Sequence, residues 1–311
     1  YDETGWNTEI PPEYGDVVYA DSGFYRVRVE TQKDLILVTT GVELARLEEQ
    51  GRQVLEFAAG PVRDFYLAGS PDFVSQERPV DGILVRSTTL PGLEAGARNV
   101  LDFTEASLDD FGGRFGAYPF VELDMVSTPT SALGVEYPGI IAMAQRMYPE
   151  DSREYPLPML ESVTAHEVGH QWFYSLVGND QLDQPWLDES LAQYITMLYF
   201  GDQYGPRGAA GYRETLEQRW DQVERQPMPI GMPVGAYSPA EYSAIVYGRG
   251  GLFFEAVAAQ IGQAALDQGL RAYAQQNWYG VGTPDELQAA FEASCNCDLD
   301  ALFAEWVGGG S

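Results

Sequence analysis

The stretch His166-Glu167-Val168-Gly169-His170, followed by Trp186-Leu187-Asp188-Glu189-Ser190-Leu191-Ala192-Gln193-Tyr194, decides how this chain is read. The chain holds only 2 histidines, and they stand four positions apart. On a helix, residues i and i+4 lie one above the other, so both imidazoles can face a single metal ion. The glutamate beside the first histidine can then reach a water at the metal and act as its general base. Such a site needs a third ligand from a neighbouring element and one open position for water and substrate. Glu189 is the candidate for that ligand on the next predicted helix, with 18 residues between it and His170. That gap lets one helix end, a loop turn and a second helix pack antiparallel. Asp188 is its local rival. His166 and His170 with either carboxylate suit one Zn²⁺, and Glu167 is the candidate base.

Working outward, the chain from Pro156 onward reads as nearly all helix. Segments are expected near 157–177, 186–201, 206–224, 239–261, 263–278, 284–294 and 298–306, punctuated by Pro and Gly. Upstream, a helical stretch near 95–115 carries Val100, Phe103, Leu108 and Phe111 at helical spacing, and strands are expected at 120–126 and 139–144. Residues 1–90 show short alternating runs: Phe24 to Val29, Leu35 to Val38, Val54 to Phe57 and Ile83 to Arg86. Gly and Pro separate them, the pattern of a β-rich module. Pro91-Gly92 marks a boundary, dividing the chain into 1–91 and 92–311.

Composition narrows the function class. The net charge is −29, from 47 acidic and 18 basic residues, with Lys33 the single lysine. Nucleic acid would be repelled by such a surface, and no apolar run reaches the roughly 18 residues that a membrane span needs. The acidity reads first as a solvated surface and favours an extracellular or cell-surface setting over the cytoplasm. Cys295 and Cys297 are one residue apart, too close for an ordinary unstrained disulfide and too few for a zinc cluster, so free thiols are expected. The terminal Gly308-Gly309-Gly310-Ser311 looks like the start of a linker.

HExxH with Glu189 inside a WLDES-type sequence resembles the gluzincin metallopeptidases of the M1 aminopeptidase family, also called the aminopeptidase N family. The family's GxMEN motif is matched by Gly134-Val135-Glu136-Tyr137-Pro138-Gly139, and its catalytic tyrosine by Tyr247 in Ile245-Val246-Tyr247-Gly248-Arg249-Gly250-Gly251. Residues 298–307 are similar to the last helix of its catalytic domain. The resemblance implies an α+β fold. Part of an N-terminal β-sandwich or saddle module would precede a mainly helical, thermolysin-like (gluzincin) catalytic domain. It implies a zinc aminopeptidase acting on peptides with a free N-terminus. Glu136, on an edge strand, would bind the substrate amine, and Tyr247 would donate to the oxyanion. Gly134 and Val135 would offer backbone to the substrate main chain as an added strand.

The motif departs from the family pattern at Leu133, Val135 and Tyr137, which stand for its first Gly, its Met and its Asn. The family's N-terminal module is normally about twice as long, and its C-terminal helical domain has no counterpart here. A more open cleft and looser exopeptidase behaviour are therefore expected. Thermolysin-like endopeptidases are the alternative, but they place an Asp where Gln193 stands. A truncated, zinc-bearing scaffold that binds peptides without turnover is another, against which Glu167 and all three ligands are intact.

Overall fold

A computed structural model describes residues 10–149 and 159–308. The start of the helix expected at 157–158 and residues 309–311 of the linker-like end lie outside it. The first half is strand-rich: β1 (Gly23–Gln32), β2 (Ile36–Thr39), β3 (Val42–Glu49), β4 (Arg52–Val62), β5 (Leu67–Ser70), β6 (Val74–Val80) and β7 (Ile83–Thr89). Along β1 half-buried and exposed residues alternate strictly, as a pleated strand with one covered face requires. β1, β4 and β3 form an antiparallel sheet in that order, and β2 pairs with β5.

Helix α1 (Glu94–Phe115) follows, then β8 (Glu122–Thr128), β9 (Gly134–Tyr137) and β10 (Ile140–Ala144). These strands join β6 and β7 in one five-stranded sheet, ordered β6-β7-β8-β10-β9. β7 and β8 run parallel, so α1 is the crossover of a βαβ unit. The sheet thus spans Pro91-Gly92, and the division expected at residue 91 does not separate two sheets. Two parallel neighbours joined by a helix must share a sheet whatever turn lies between them. Gly92, at φ 93°, only turns the chain into α1. β9 forms the outer edge, antiparallel to β10, as the motif around Glu136 led us to expect.

The second half is helical: α2 (Met159–Gly169), α3 (Glu189–Tyr204), α4 (Pro206–Asp221), α5 (Pro239–Ala244), α6 (Gly250–Ile261), α7 (Gln263–Gln276), α8 (Pro284–Cys295) and α9 (Asp300–Trp306). Ser238 with Glu241 and Thr283 with Glu286 form capping boxes that start α5 and α8. One core runs through this half and under the sheet, and Trp172, Trp186, Phe111, Phe115, Phe253 and Phe254 are buried in it. Each such side chain contributes on the order of 1.5–3 kcal/mol through the surface it removes from water. No helix among the described residues is long and apolar enough to cross a membrane.

Three local expectations are corrected. α2 stops at Gly169 rather than 177, and Tyr174, at φ 146°, lies outside the helical region. The helix expected over 239–261 is broken by a π-helical turn, Ile245–Arg249, between α5 and α6. Cys295 and Cys297 are joined in a disulfide rather than free. α8 ends at Cys295, and Asn296 takes the left-handed conformation (φ 51°), which folds the chain back so that the two Cα atoms lie 5.2 Å apart, within bridging range.

Candidate metal centre and active-site cleft

His166 and Glu167 lie in the last turn of α2. His170 is one residue beyond it, but its N–H still bonds the His166 carbonyl at 3.3 Å, so the two rings keep their i, i+4 relation. The rings meet edge to face, with centroids 4.7 Å apart. His166 Nε2 lies 3.2 Å from His170 Nε2 and 3.1 Å from Glu189 Oε2, and His170 Nε2 lies 3.5 Å from the same oxygen. Ligands at about 2.0–2.1 Å around a tetrahedral zinc stand about 3.3–3.4 Å from one another. The three buried donor atoms therefore match one face of such a tetrahedron, and their N,N,O chemistry suits zinc.

Neighbouring groups fix the orientation of these donors. His170 Nδ1 donates to the Phe173 carbonyl (3.1 Å), leaving Nε2 free to ligate. His166 Nδ1 meets the Gln193 side-chain amide at 3.3 Å, and the Tyr212 hydroxyl donates to Gln193 Oε1 at 2.8 Å. Glu189 opens α3, where Asp188 caps it by accepting the Glu189 N–H at 2.8 Å. The other oxygen of Asp188 accepts from Gln181 Nε2 at 2.8 Å. Glu189, not Asp188, thus reaches both imidazoles. The Tyr247 hydroxyl donates to Glu189 Oε1. Tyr247 sits on the π-helical turn, a distortion common where a helix must present a functional group. Gly250, just after it, lies so close to Ser190 Oγ that a Cβ would stand 1.9 Å away, so the glycine lets this element pack on α3.

Glu136, on β9, is buried, accepts from Gln181 Nε2 at 3.1 Å, and has a carboxylate oxygen within 4.8 Å of a His170 ring nitrogen. Glu167 is buried with Oε2 free of any hydrogen-bond partner. A Cβ on Gly134 would lie 2.2 Å from Glu167 Oε1 and 2.3 Å from Cδ, so the glycine lets this carboxylate sit where it does. Val135 is half-buried beside it on the same edge strand.

So many acids around two histidines make the cleft electronegative. Burial, then Glu136, pushes Glu167 well above the usual carboxylate range. Burial raises Glu136 and lifts Asp188 to about 7. His166 is lowered, chiefly by burial. Burial opposes charge on His170 too, but Glu136, Glu189 and Asp188 outweigh it and raise its pKa. Glu189 is held well below the usual range: burial works the other way, and the two imidazoles prevail. An arrangement of this kind favours a cation at its centre.

The cleft measures about 520 Å³, and part of its wall comes from residues to which the sequence reading assigned no role. Residues 13–16 lie along it, fastened by the Tyr14 hydroxyl donating to the Tyr237 carbonyl and by Val18 and Gln181 bonding in both directions. The Asp16 carboxyl rests against Glu189, and its pKa is raised well above the usual range by burial and then by Glu136. Arg219, Tyr212 and Tyr242 also line the cleft. No spacing rule could have found these residues, which lie far from the HExxH segment in sequence.

The model of the Peptidase family M1 domain matches residues 100–306, which include the zinc helix, the edge strand and Tyr247. The chain belongs to peptidase family M1. Among its relatives, it is 24% identical over 298 residues to Aminopeptidase M1 of Arabidopsis thaliana, covering 91% of this chain and 34% of that protein. It is 23% identical over 297 residues to the leucyl aminopeptidase of Saccharolobus solfataricus, covering 91% and 38%. The chain thus spans about a third of the length of the curated relatives it matches. The M1 zinc metallopeptidase from Deinococcus radiodurans shares the fold, with a TM-score of 0.76, 20% identity, and coverage of 94% of this chain and 66% of that one.

Proposed function

We propose that this chain is a zinc-dependent aminopeptidase that hydrolyses the first peptide bond of peptides with a free N-terminus. The observation that carries the reading is the buried carboxylate of Glu136, placed beside the three-donor cluster on the outermost strand of the sheet. An ammonium group held there would bring the adjoining carbonyl to the cluster and place the end of the peptide, rather than its middle, at the reacting position.

His166, His170 and Glu189 would hold the metal. Bound there, zinc would supply a Lewis acid that polarises the scissile carbonyl and acidifies water. Glu167 would take the proton of the attacking water through Oε2, the oxygen that has no other partner. The Tyr247 phenol is protonated at neutral pH and burial raises its pKa further, so its hydroxyl is available to donate to the developing oxyanion. The outer edge of β9, at Gly134 and Val135, would align the substrate backbone as an added strand. The Cys295–Cys297 bridge and the net charge of −29 support an extracellular or cell-surface setting.

The test is hydrolysis of one peptide in two forms, free and N-acetylated, scored by mass spectrometry for the bond cleaved. Loss of the first residue from the free form only is expected. Internal cleavage of both forms would instead point to an endopeptidase, and cleavage of neither would point to a binding scaffold.

A further inference from the structure

Arg219 is the one lysine or arginine among the described residues that line the cleft. It donates to Ser243 Oγ at 3.4 Å and lies over the Tyr247 ring at 5.8 Å, and among the described residues no carboxylate forms an ion pair with it. In a chain with 47 acidic and 18 basic residues, a cleft-lining guanidinium with no ion-paired carboxylate among the described residues calls for an explanation.

Its position supplies one. The charged groups of the cleft are sorted about the two histidines. Glu136 and Asp188 each have a carboxylate oxygen within 4.8 Å of a His170 ring nitrogen, and Asp16 lines the same cleft. Arg219 lies over the Tyr247 ring, whose centroid is 6.1 Å from that of His166, and Tyr212 and Ser243 line the cleft with it. A peptide whose amine is held among the acids and whose first carbonyl lies at the metal cluster must run its leaving portion away from Glu136, past His166 and Tyr247. An extended residue advances about 3.3–3.4 Å, so the C-terminal carboxylate of a very short peptide stays within reach of a long side chain at that end.

We infer that Arg219 is a specificity-determining residue that binds the C-terminal carboxylate of the substrate, and that the preferred substrates are di- and tripeptides with both termini free. The inference rests on the aminopeptidase reading, which supplies the direction in which the peptide lies. Guanidinium and carboxylate form paired, charge-assisted hydrogen bonds, so the contact discriminates a carboxylate from a neutral amide. The long-range field works in the opposite sense: at net charge −29 the protein repels an added negative charge. A preference for the acid over the amide must therefore come from a local cation.

The experiment is calorimetric titration of the zinc-loaded Glu167→Gln protein with the dipeptide Leu-Ala, its C-terminal amide and its N-acetyl form. The acid is expected to bind about tenfold more tightly than the amide, a difference of about 1.4 kcal/mol. With Arg219→Gln added, that ratio falls to about one, and with Arg219→Lys it is intermediate. In the otherwise native enzyme the same ratio appears in KM rather than kcat. Equal affinity of acid and amide, or a ratio that survives Arg219→Gln, overturns the inference. Equal loss of both ligands in the arginine variants overturns it too, because Arg219 would then only support Tyr247. The acetylated form reports separately: if it binds as well as the free dipeptide, the aminopeptidase reading fails, while the acid-to-amide ratio still decides the role of Arg219.

Discussion

Gly134→Ala tests whether the edge strand sets the position of Glu167, the proposed general base. A Cβ there would stand 2.2 Å from Glu167 Oε1 and 2.5 Å from its Cγ, whereas ordinary contact begins near 3.4 Å. The carboxylate would have to withdraw by about 1.2 Å, and a displacement of about 1 Å of a reacting group costs roughly a hundredfold in rate. The substitution should therefore lower kcat about a hundredfold on a free-amine peptide. KM, zinc content by atomic absorption and melting temperature should stay close to those of the parent. Gly113→Ala is the matched control. It lies on α1 with nothing within 4 Å of its built Cβ, so it should leave the rate unchanged and add about 0.5–1 kcal/mol of stability. A Gly134→Ala enzyme with kcat within twofold of the parent would refute the reasoning, because β9 rather than Glu167 would have moved.

Other expectations follow from the same geometry. Tyr247→Phe should lower kcat by roughly 10²–10³ with little change in KM, the pattern of a group that acts in the transition state, and a change confined to KM in steady-state assays would contradict its role. Arg63 is buried and donates to the carbonyls of Tyr174 (2.8 Å), Ala20 (2.8 Å) and Gly280, tying β4 to the catalytic half. Arg63→Leu strands those carbonyls and should cost about 3 kcal/mol or more in urea denaturation; a loss below 1 kcal/mol would show that water replaces the contacts. Asp124 is paired with Arg86 at 2.7 Å, yet burial dominates and lifts its pKa from 3.8 to about 6. The Arg86 pKa is raised as expected of a paired cation; the carboxylate departs from that pattern because its side chain is 3% exposed against 23% for the arginine. A folded-state pKa above the unfolded value contributes stability that is full below about 4 and lost as pH rises through about 6. The stability difference between the parent and Asp124→Asn should therefore shift in favour of the asparagine variant across that window, as read from denaturation midpoints at pH 4 and 7.

The helix that carries the HExxH pattern and the donor atoms it gathers were legible because their logic is local. Two histidines one turn apart must share a helix face, and a glutamate at the start of the following helix can pack against that face. The family resemblance extended this reading to Glu136 and Tyr247, which the folded chain brings into the same cleft. The capping boxes at Ser238 and Thr283 are likewise written within four residues.

What lay beyond the sequence was decided by packing between distant segments. Asp16 reaches Glu189 because residues 13–16 are laid across helices far along the chain, and no periodicity encodes such an approach. Arg219 reads as one more charge on an amphipathic helix until α4 is set beside Tyr247. The π-helical turn at Ile245–Arg249 arises where that segment meets α3, with Ser190 Oγ donating to the Val246 carbonyl at 2.7 Å. β6 and β7 joined the catalytic sheet because β7 found its partner, β8, across a whole helix. The sequence by itself determined the His-His-Glu donor set, the glutamate beside it and the helix that carries them, since spacing within a turn is enough to align side chains. Only the tertiary structure decided which acids, which arginine and which glycine surround them, because burial against partners far along the chain depends on the whole fold.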